Sequence, residues 1–292
     1  MADSPAAEHE LDEDGIRSLL RMTAPELADL PLRLYADGWD NAIWRLGDDL
    51  VVRVPRRQLA VPLIAHEQRA LPEIAPRLAA LGVRTPVPVV AGRPGDLFPW
   101  PWSVTPWIDG TTALGRPRGE NAGWAPLLAS TLGALHTAAP ADAPLNPFRG
   151  GPLSLRDDAV RPRLAQFPER AALADAWDAG LSVPVGTERV WIHGDLHPGN
   201  VVVGADGLAA LIDFGDVTAG DPAYDLAVAW MLFDADGRAT FRTATGDRYD
   251  DATWVRARAW AAYIALVLLT QSDDRPEYLA AGASTADELA VD

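Results

Sequence analysis

The chain contains no cysteine and no lysine. The first absence excludes disulfides, thiolate nucleophiles and thiolate metal sites. The second makes all 25 basic residues arginines; 41 acidic residues outnumber them, for a formal charge of -16. A surface of that sign repels nucleic acid and anionic lipid and draws in a cationic ligand, although solubility alone accounts for most of such an excess. A long apolar run is missing too. The most apolar stretch, Ala259 to Thr270, falls short of the roughly 20 residues that span a bilayer. The acidic start, Met1 to Asp14, lacks the basic residues and apolar segment of a secretory signal. These absences predict a cytoplasmic protein with no membrane and no nucleic-acid partner. What is present is 292 residues of ordinary globular composition, 48% hydrophobic, long for one compact core and suited to two lobes.

Patterning along the chain predicts the two lobes. After an acidic tip, Leu11 to Met22 reads as a short amphipathic helix. Pro31 to Ala36, Ala42 to Leu46 and Leu50 to Val54 read as strands, with turns at Gly38-Trp39-Asp40-Asn41 and Gly47-Asp48-Asp49. A helix over Leu59 to Leu71 should stop at Pro72, and Val87 to Ala91 and Trp102 to Trp107 add two strands. The expected first lobe is therefore residues 1–107, an antiparallel sheet plus one helix. The expected second lobe, 108–292, is mostly helical: a helix within Gly119 to Ala138, proline-interrupted helices over 150–180, and helices at Asp221 to Phe233, Asp251 to Thr270 and Pro276 to Leu289. Its only strands are Val190 to Ile192 and a hairpin, Asn200 to Val203 with Leu208 to Ile212.

The chemistry is concentrated in two short loops. His193-Gly-Asp195-Leu-His-Pro-Gly-Asn200 follows the predicted strand at 190–192, and Ile212-Asp213-Phe-Gly215 follows the hairpin. Phosphoryl transfer to a hydroxyl needs one carboxylate to orient the hydroxyl and take its proton, and oxygen ligands for the magnesium that bridges the donor phosphates. Asp195 suits the first role; Asp213 and Asn200 suit the second. The spacing Asp-x-x-x-x-Asn followed by Asp-Phe-Gly matches the catalytic and metal loops of protein kinases. Turn formation alone would explain Asp and Gly here but not Asn200 at its fixed offset. A zinc reading of His193, Asp195 and His197 is weakened by Pro198-Gly199, which breaks the strand that would align them. His193 is instead read as a brace that bonds loop carbonyls.

These loops, with Asp216 after the second and Asp221-Pro-Ala-Tyr-Asp225-Leu-Ala beyond it, resemble the aminoglycoside phosphotransferase family, which includes macrolide- and choline-kinase-like members. The resemblance runs from about Leu32 to Thr270. It implies an α+β, two-lobed protein-kinase-like fold and a magnesium-dependent kinase that uses ATP or GTP on a small-molecule hydroxyl. It implies that Asp195 is catalytic, that Asn200 and Asp213 hold Mg2+, and that Asp225 braces the catalytic loop; the alternative for Asp225 is an acid favoured by a helix N-terminus. Arg53 stands where the family usually has a lysine on the donor phosphates, and arginine grips phosphate by a planar fork. Arg53-Val-Pro-Arg-Arg57 is similar to macrolide-kinase-like members. Glu67 is the expected partner of Arg53, against the alternatives of a solvated edge-strand arginine and a surface glutamate. Gly38 is the one glycine of a reduced phosphate loop, which lacks Gly-x-Gly-x-x-Gly and so argues against a protein kinase. Trp107, in the inter-lobe connection Ser103 to Ile108, is the candidate to sandwich the purine.

The predicted function is transfer of the γ-phosphate to an aminoglycoside-type antibiotic. A macrolide, then choline, homoserine or a sugar, are the alternatives, and a nucleotide-binding pseudokinase acting as an interaction module is the rival from another class. A cationic acceptor would meet Asp234, Asp236, Asp157, Asp158 and the acidic C-terminus.

Overall fold

The computed structural model describes residues 6–38 and 40–291. The first residues of the acidic tip, Trp39 of the reduced loop, and the terminal Asp292 lie outside the described residues.

Helix α1 (Glu13–Thr23) begins where Asp12 accepts the Gly15 N–H, and it buries Ile16, Leu19 and Leu20. Strands β1 (Leu32–Asp37), β2 (Asn41–Leu46) and β3 (Leu50–Pro55), helix α2 (Val61–Ala79), β4 (Val90–Gly92) and β5 (Trp102–Pro106) follow. The five strands form one antiparallel sheet in the order β1-β2-β3-β5-β4. Strand alternation sends Val52 and Val54 into a core with Trp44, Trp102 and α1, and Arg53, paired with Ile43 in the ladder, to the opposite face. Arg53 therefore sits on the middle strand and not on an edge.

Helix α2 does not stop at Pro72. It continues past Pro72 and Pro76, both of which are exposed. An internal proline costs about 3 kcal/mol. Two facts keep the helix whole: the prolines fall on the wet face, where water serves the carbonyls they leave unpaired, and Ile64, Ala70, Leu71, Ile74, Ala75 and Leu78 are buried along the other.

After β6 (Thr111–Thr112) the chain is largely helical. Helix α3 (Ala125–Leu135) is shorter than the sequence suggests, because 118–124 forms two 3-10 turns. The segment 150–180 yields α4 (Asp157–Leu164) and α5 (Ala171–Ser182), and 221–233 divides at Ala227 into α6 (Ala223–Leu226) and α7 (Val228–Leu232). Helix α8 (Ala235–Ala244) escapes the sequence reading; Asp234-Ala-Asp-Gly237 looks like a turn, but Asp234 caps the helix by accepting the Gly237 N–H. Helix α9 (Asp251–Gln271), capped by Asp250, packs against α5, α6 and α10 (Pro276–Leu289). Its 21 residues are long and apolar enough to cross a membrane, unlike the 259–270 stretch alone, yet 56% of its most apolar window is buried inside the protein. The large core built on these helices extends to Ala70, Leu71, Ile74 and Leu78, so α2 packs on both cores.

Two short strand pairs set up the site. β7 (Val190–Ile192) pairs antiparallel with β10 (Thr218–Gly220), and β8 (Val201–Gly204) pairs with β9 (Gly207–Leu211).

Candidate active site

Two sets of pairings pin the loops 193–200 and 212–217 together. At one end Ile192 lies opposite Thr218 in the β7–β10 pair. At the other, Val201 lies opposite Leu211, and the Ile212 N–H donates to the Asn200 carbonyl at 3.0 Å. The loops are thus tied at both ends and run side by side. Gly194 has φ +79°, and a Cβ there would lie 2.2 Å from the Asp216 carbonyl oxygen. Gly194→Ala should therefore destabilise the fold by roughly 2 kcal/mol or more and cut turnover, because left-handed strain and a backbone clash act together; denaturant melts and activity assays on the purified variant check this.

Asp225 is fully buried on α6. Its carboxylate accepts the backbone N–H groups of His193 (2.7 Å) and Gly194 (3.1 Å) and meets His136 Nε2 at 3.1 Å. That is the bracing geometry, and it exceeds what a helix-end acid would do. His193 is spoken for on both ring nitrogens: Nε2 lies 2.9 Å from the Ile212 carbonyl, and Nδ1 accepts the Asp195 N–H at 3.2 Å. Neither nitrogen is left for zinc, and among the described residues no group of three His, Cys, Asp or Glu is arranged to hold a metal.

The structure brings Asp195, Asn200 and Asp213 to one cleft. The Asn200 amide donates to the Asp195 carbonyl (2.8 Å) and Oδ2 (3.3 Å), which leaves the Asn200 carbonyl oxygen as its other end. Asp213 holds φ +62°, the only non-glycine left-handed residue among those described, and its carboxylate is 57% exposed. Strain of this kind is kept where surrounding structure enforces it. Burial alone would raise the Asp195 carboxyl. A hydrogen bond and charge from His197, then the Arg149 charge, outweigh burial and hold it well below the usual carboxylate range.

On the sheet side, Arg53 Nη1 donates to both oxygens of fully buried Glu67, at 2.7 and 2.8 Å, and Arg53 Nη2 lies 3.9 Å from Asp213. Burial opposes the guanidinium charge, but Glu67 and Asp213 together outweigh it and hold Arg53 above its ordinary value. Gly38 closes its turn by donating to the Asn41 carbonyl at 3.0 Å and accepting from Arg56 at 2.7 Å. A cavity of about 390 Å³ lies between Gly38, Arg53, Asp213 and Asp195.

Trp107 is placed differently from the sequence reading. Its ring lies under the Arg45 guanidinium (4.1 Å to the centroid) and against Tyr35, its indole N–H donates to Asp109, and it is not part of either cavity wall. A cationic strand residue on the same sheet face, two positions from Ile43, captures the ring. The distal acids are also placed elsewhere. Asp234 caps α8, and Asp157 accepts from Trp177 and Arg161. Asp158 and Asp236 lie in the first turns of α4 and α8; none of the four lines the cleft.

Sequence reasoning missed Arg149 and the far wall. Arg149 Nη2 lies 3.2 Å from Asp195 and 3.1 Å from Asp216, and Nη1 donates to the Tyr224 hydroxyl at 2.9 Å. Burial opposes its charge, but Tyr224, Asp195 and Asp216 raise it well above the ordinary value. Across from Asp195, a cavity of about 420 Å³ is walled by Tyr263, Ile264, Val267 and Leu268 of α9 and Tyr278 of α10, with Asp274 and Arg275 between the helices.

A sequence model described as the phosphotransferase enzyme family matches residues 31–260. Among solved structures, the chain is similar to the GDP complex of wild-type aminoglycoside 2'-phosphotransferase-IIIa, with TM-score 0.68, 17% identity, and coverage of 96% of this chain and 99% of that one. It is similar to a GDP and kanamycin complex of an aminoglycoside 2"-phosphotransferase, with TM-score 0.66, 19% identity, and 94% and 98% coverage. It is also similar to the apoenzyme of a macrolide 2'-phosphotransferase from Brachybacterium faecium, with TM-score 0.62, 24% identity, and 93% and 98% coverage. At these identities the likeness is one of fold. No curated protein matches the chain.

Proposed function

Because the chain belongs to the phosphotransferase enzyme family, we propose that it is a small-molecule kinase that moves the γ-phosphoryl group of ATP or GTP to a hydroxyl. The observation that carries this is the meeting of two cavities at Asp195, one walled by Arg53 and Asp213 and the other by α9. The donor phosphates lie in the first, with Arg53 held towards them by Glu67 and with Gly38 in the covering turn. The acceptor lies in the second. Residues 1–107 then serve as the nucleotide lobe and 108–292 as the catalytic and acceptor lobe. Cytoplasmic placement follows from the nucleotide requirement.

The oxygens present suit magnesium. A part-exposed carboxylate and a carboxamide oxygen are hard ligands, and such sites leave remaining positions to water and phosphate. Asp213 and Asn200 would hold the ion, which when bound supplies charge neutralisation on the donor phosphates. Asp195 orients the acceptor hydroxyl through its carboxylate and takes the proton late. The acceptor oxygen forms the new bond to phosphorus as the bond to the bridging oxygen breaks, and the nucleoside diphosphate leaves with that oxygen. Catalysis of this loose transfer rests on positioning and charge.

The acceptor wall refines the choice among antibiotics. A polycationic aminoglycoside needs several carboxylates, but beyond Asp195 and Asp213 the cavity offers only Asp274, beside Arg275. Two tyrosines and the aliphatic face of α9 favour an amphiphilic, hydroxyl-bearing ring with few amines. A macrolide fits that chemistry better than an aminoglycoside. A panel of macrolides, aminoglycosides, choline and sugars, run with ATP and with GTP and read by product mass, is expected to give a phosphorylated macrolide. Faster turnover of aminoglycosides would refute the acceptor assignment alone. Nucleotide binding with no transfer to any acceptor would favour the pseudokinase module.

A further inference from the structure

Arg149 lines both cavities and is held at their junction. The loop that carries it is fastened on both sides: the Asn146 N–H donates to Thr218 Oγ1 (2.9 Å), the Asn146 amide donates to Asp216 (2.6 Å), and the Asp221 N–H donates to the Gly150 carbonyl (2.9 Å). Gly150 fits against β7 and β10 with φ +60°, where a Cβ would strike Ile192. The guanidinium is thus delivered by a rigid, built support. Its side chain is 25% exposed, beside an Asp195 that is 31% exposed. Two of its nitrogens have partners, while Nε is buried and makes no hydrogen bond.

We propose that Arg149 is a catalytic cation of the transfer step, acting on the phosphoryl group as it passes from the nucleotide cavity to the acceptor. This rests on the phosphotransferase reading above. The three equatorial oxygens of the moving group carry charge, and Arg53 meets it only from the sheet side, where it is paired with Glu67; Arg149, at the junction of the cavities, is the arginine in contact with Asp195. A fixed arginine facing that charge stabilises the transition state more than the bound nucleotide. The same guanidinium is held in place by Asp195 and Asp216.

The test uses the full chain with Mg-ATP and Mg-GTP, reading phosphate release to water, so that no acceptor need be known. Arg149→Ala and the more conservative Arg149→Gln are expected to lower kcat by about 100-fold or more, while affinity for ADP and GDP stays within about threefold, as a contact to the transferred group requires. Added guanidinium ion is expected to restore part of the rate to Arg149→Ala; a purely structural role would show no such rescue. The proposal is overturned if Arg149→Gln keeps a rate within threefold of wild type, or if its loss of rate is matched by an equal loss of ADP and GDP binding without rescue. If the wild-type protein itself releases no phosphate from either nucleotide with any acceptor or water, the phosphotransferase reading fails first.

Discussion

Replacing Asp195 with Ala or Asn should lower turnover by a factor of about 100 to 10,000 while nucleotide affinity and thermal stability stay near wild type. The reasoning is local. Asp195 is reached by three separate side chains, Arg149 at 3.2 Å, Asn200 at 3.3 Å and His197 at 3.5 Å. None depends on it alone: Arg149 keeps Asp216 and Tyr224, His197 keeps the Gly199 N–H, and Asn200 keeps the Asp195 backbone carbonyl. The loop should therefore hold its shape. The proposed nucleotide clamp, Arg53 with Glu67 on β3 and α2, does not touch Asp195. What disappears is the acceptor for the hydroxyl proton. Asn keeps the shape and a hydrogen-bonding oxygen but no longer takes a proton, so it should fail as badly as Ala. A rate for Asp195→Asn above a tenth of wild type would end the general-base assignment.

The strand-flanked loops were legible because their geometry is local. Asp195 and Asn200 share one loop, the hairpin that follows is short, and its pairing returns Asp213 beside them. Arg53 and Glu67 were legible for a related reason: strand alternation fixes which way Arg53 points, and helix periodicity places Glu67 on the packed face of α2. Arg149 was not legible. It reaches Asp195 through a long loop whose position is set by contacts with β7 and β10, and nothing in Asn146-Pro-Phe-Arg-Gly150 distinguishes it from a surface turn. The surroundings of Trp107 were not legible, because composition does not reveal that Arg45 of β2, a strand not adjacent to β5, covers its ring. The Pro72 stop signal failed because propensity was weighed without burial. A proline on a solvent face costs what propensity says, and a helix packed along six apolar positions tolerates it.

Asp225→Ala should do what Asp195→Ala does not and remove stability along with activity. The Asp225 carboxylate is entirely buried and serves three groups at once, the N–H groups of His193 and Gly194 and the ring of His136. His136 in turn meets the Tyr249 hydroxyl at 2.7 Å, so the network reaches the segment before α9. Removing the carboxylate leaves these buried partners without an acceptor. Losses of this kind amount to about 3–5 kcal/mol when a buried charged partner is deleted. The two N–H groups belong to the first residues of the catalytic loop, and Gly194 is already held at positive φ against Asp216. A loop freed from this brace would relax away from that conformation and carry Asp195 with it. Asp225→Asn keeps one accepting oxygen and should lose about half as much stability, with turnover between the two extremes. Denaturant unfolding, read beside turnover at a temperature where every variant is folded, separates the cases. If Asp225→Ala unfolds within about 1 kcal/mol of wild type, inside the range of ordinary point mutants, and keeps its turnover, then the catalytic loop holds itself and Asp225 is an incidental helix acid.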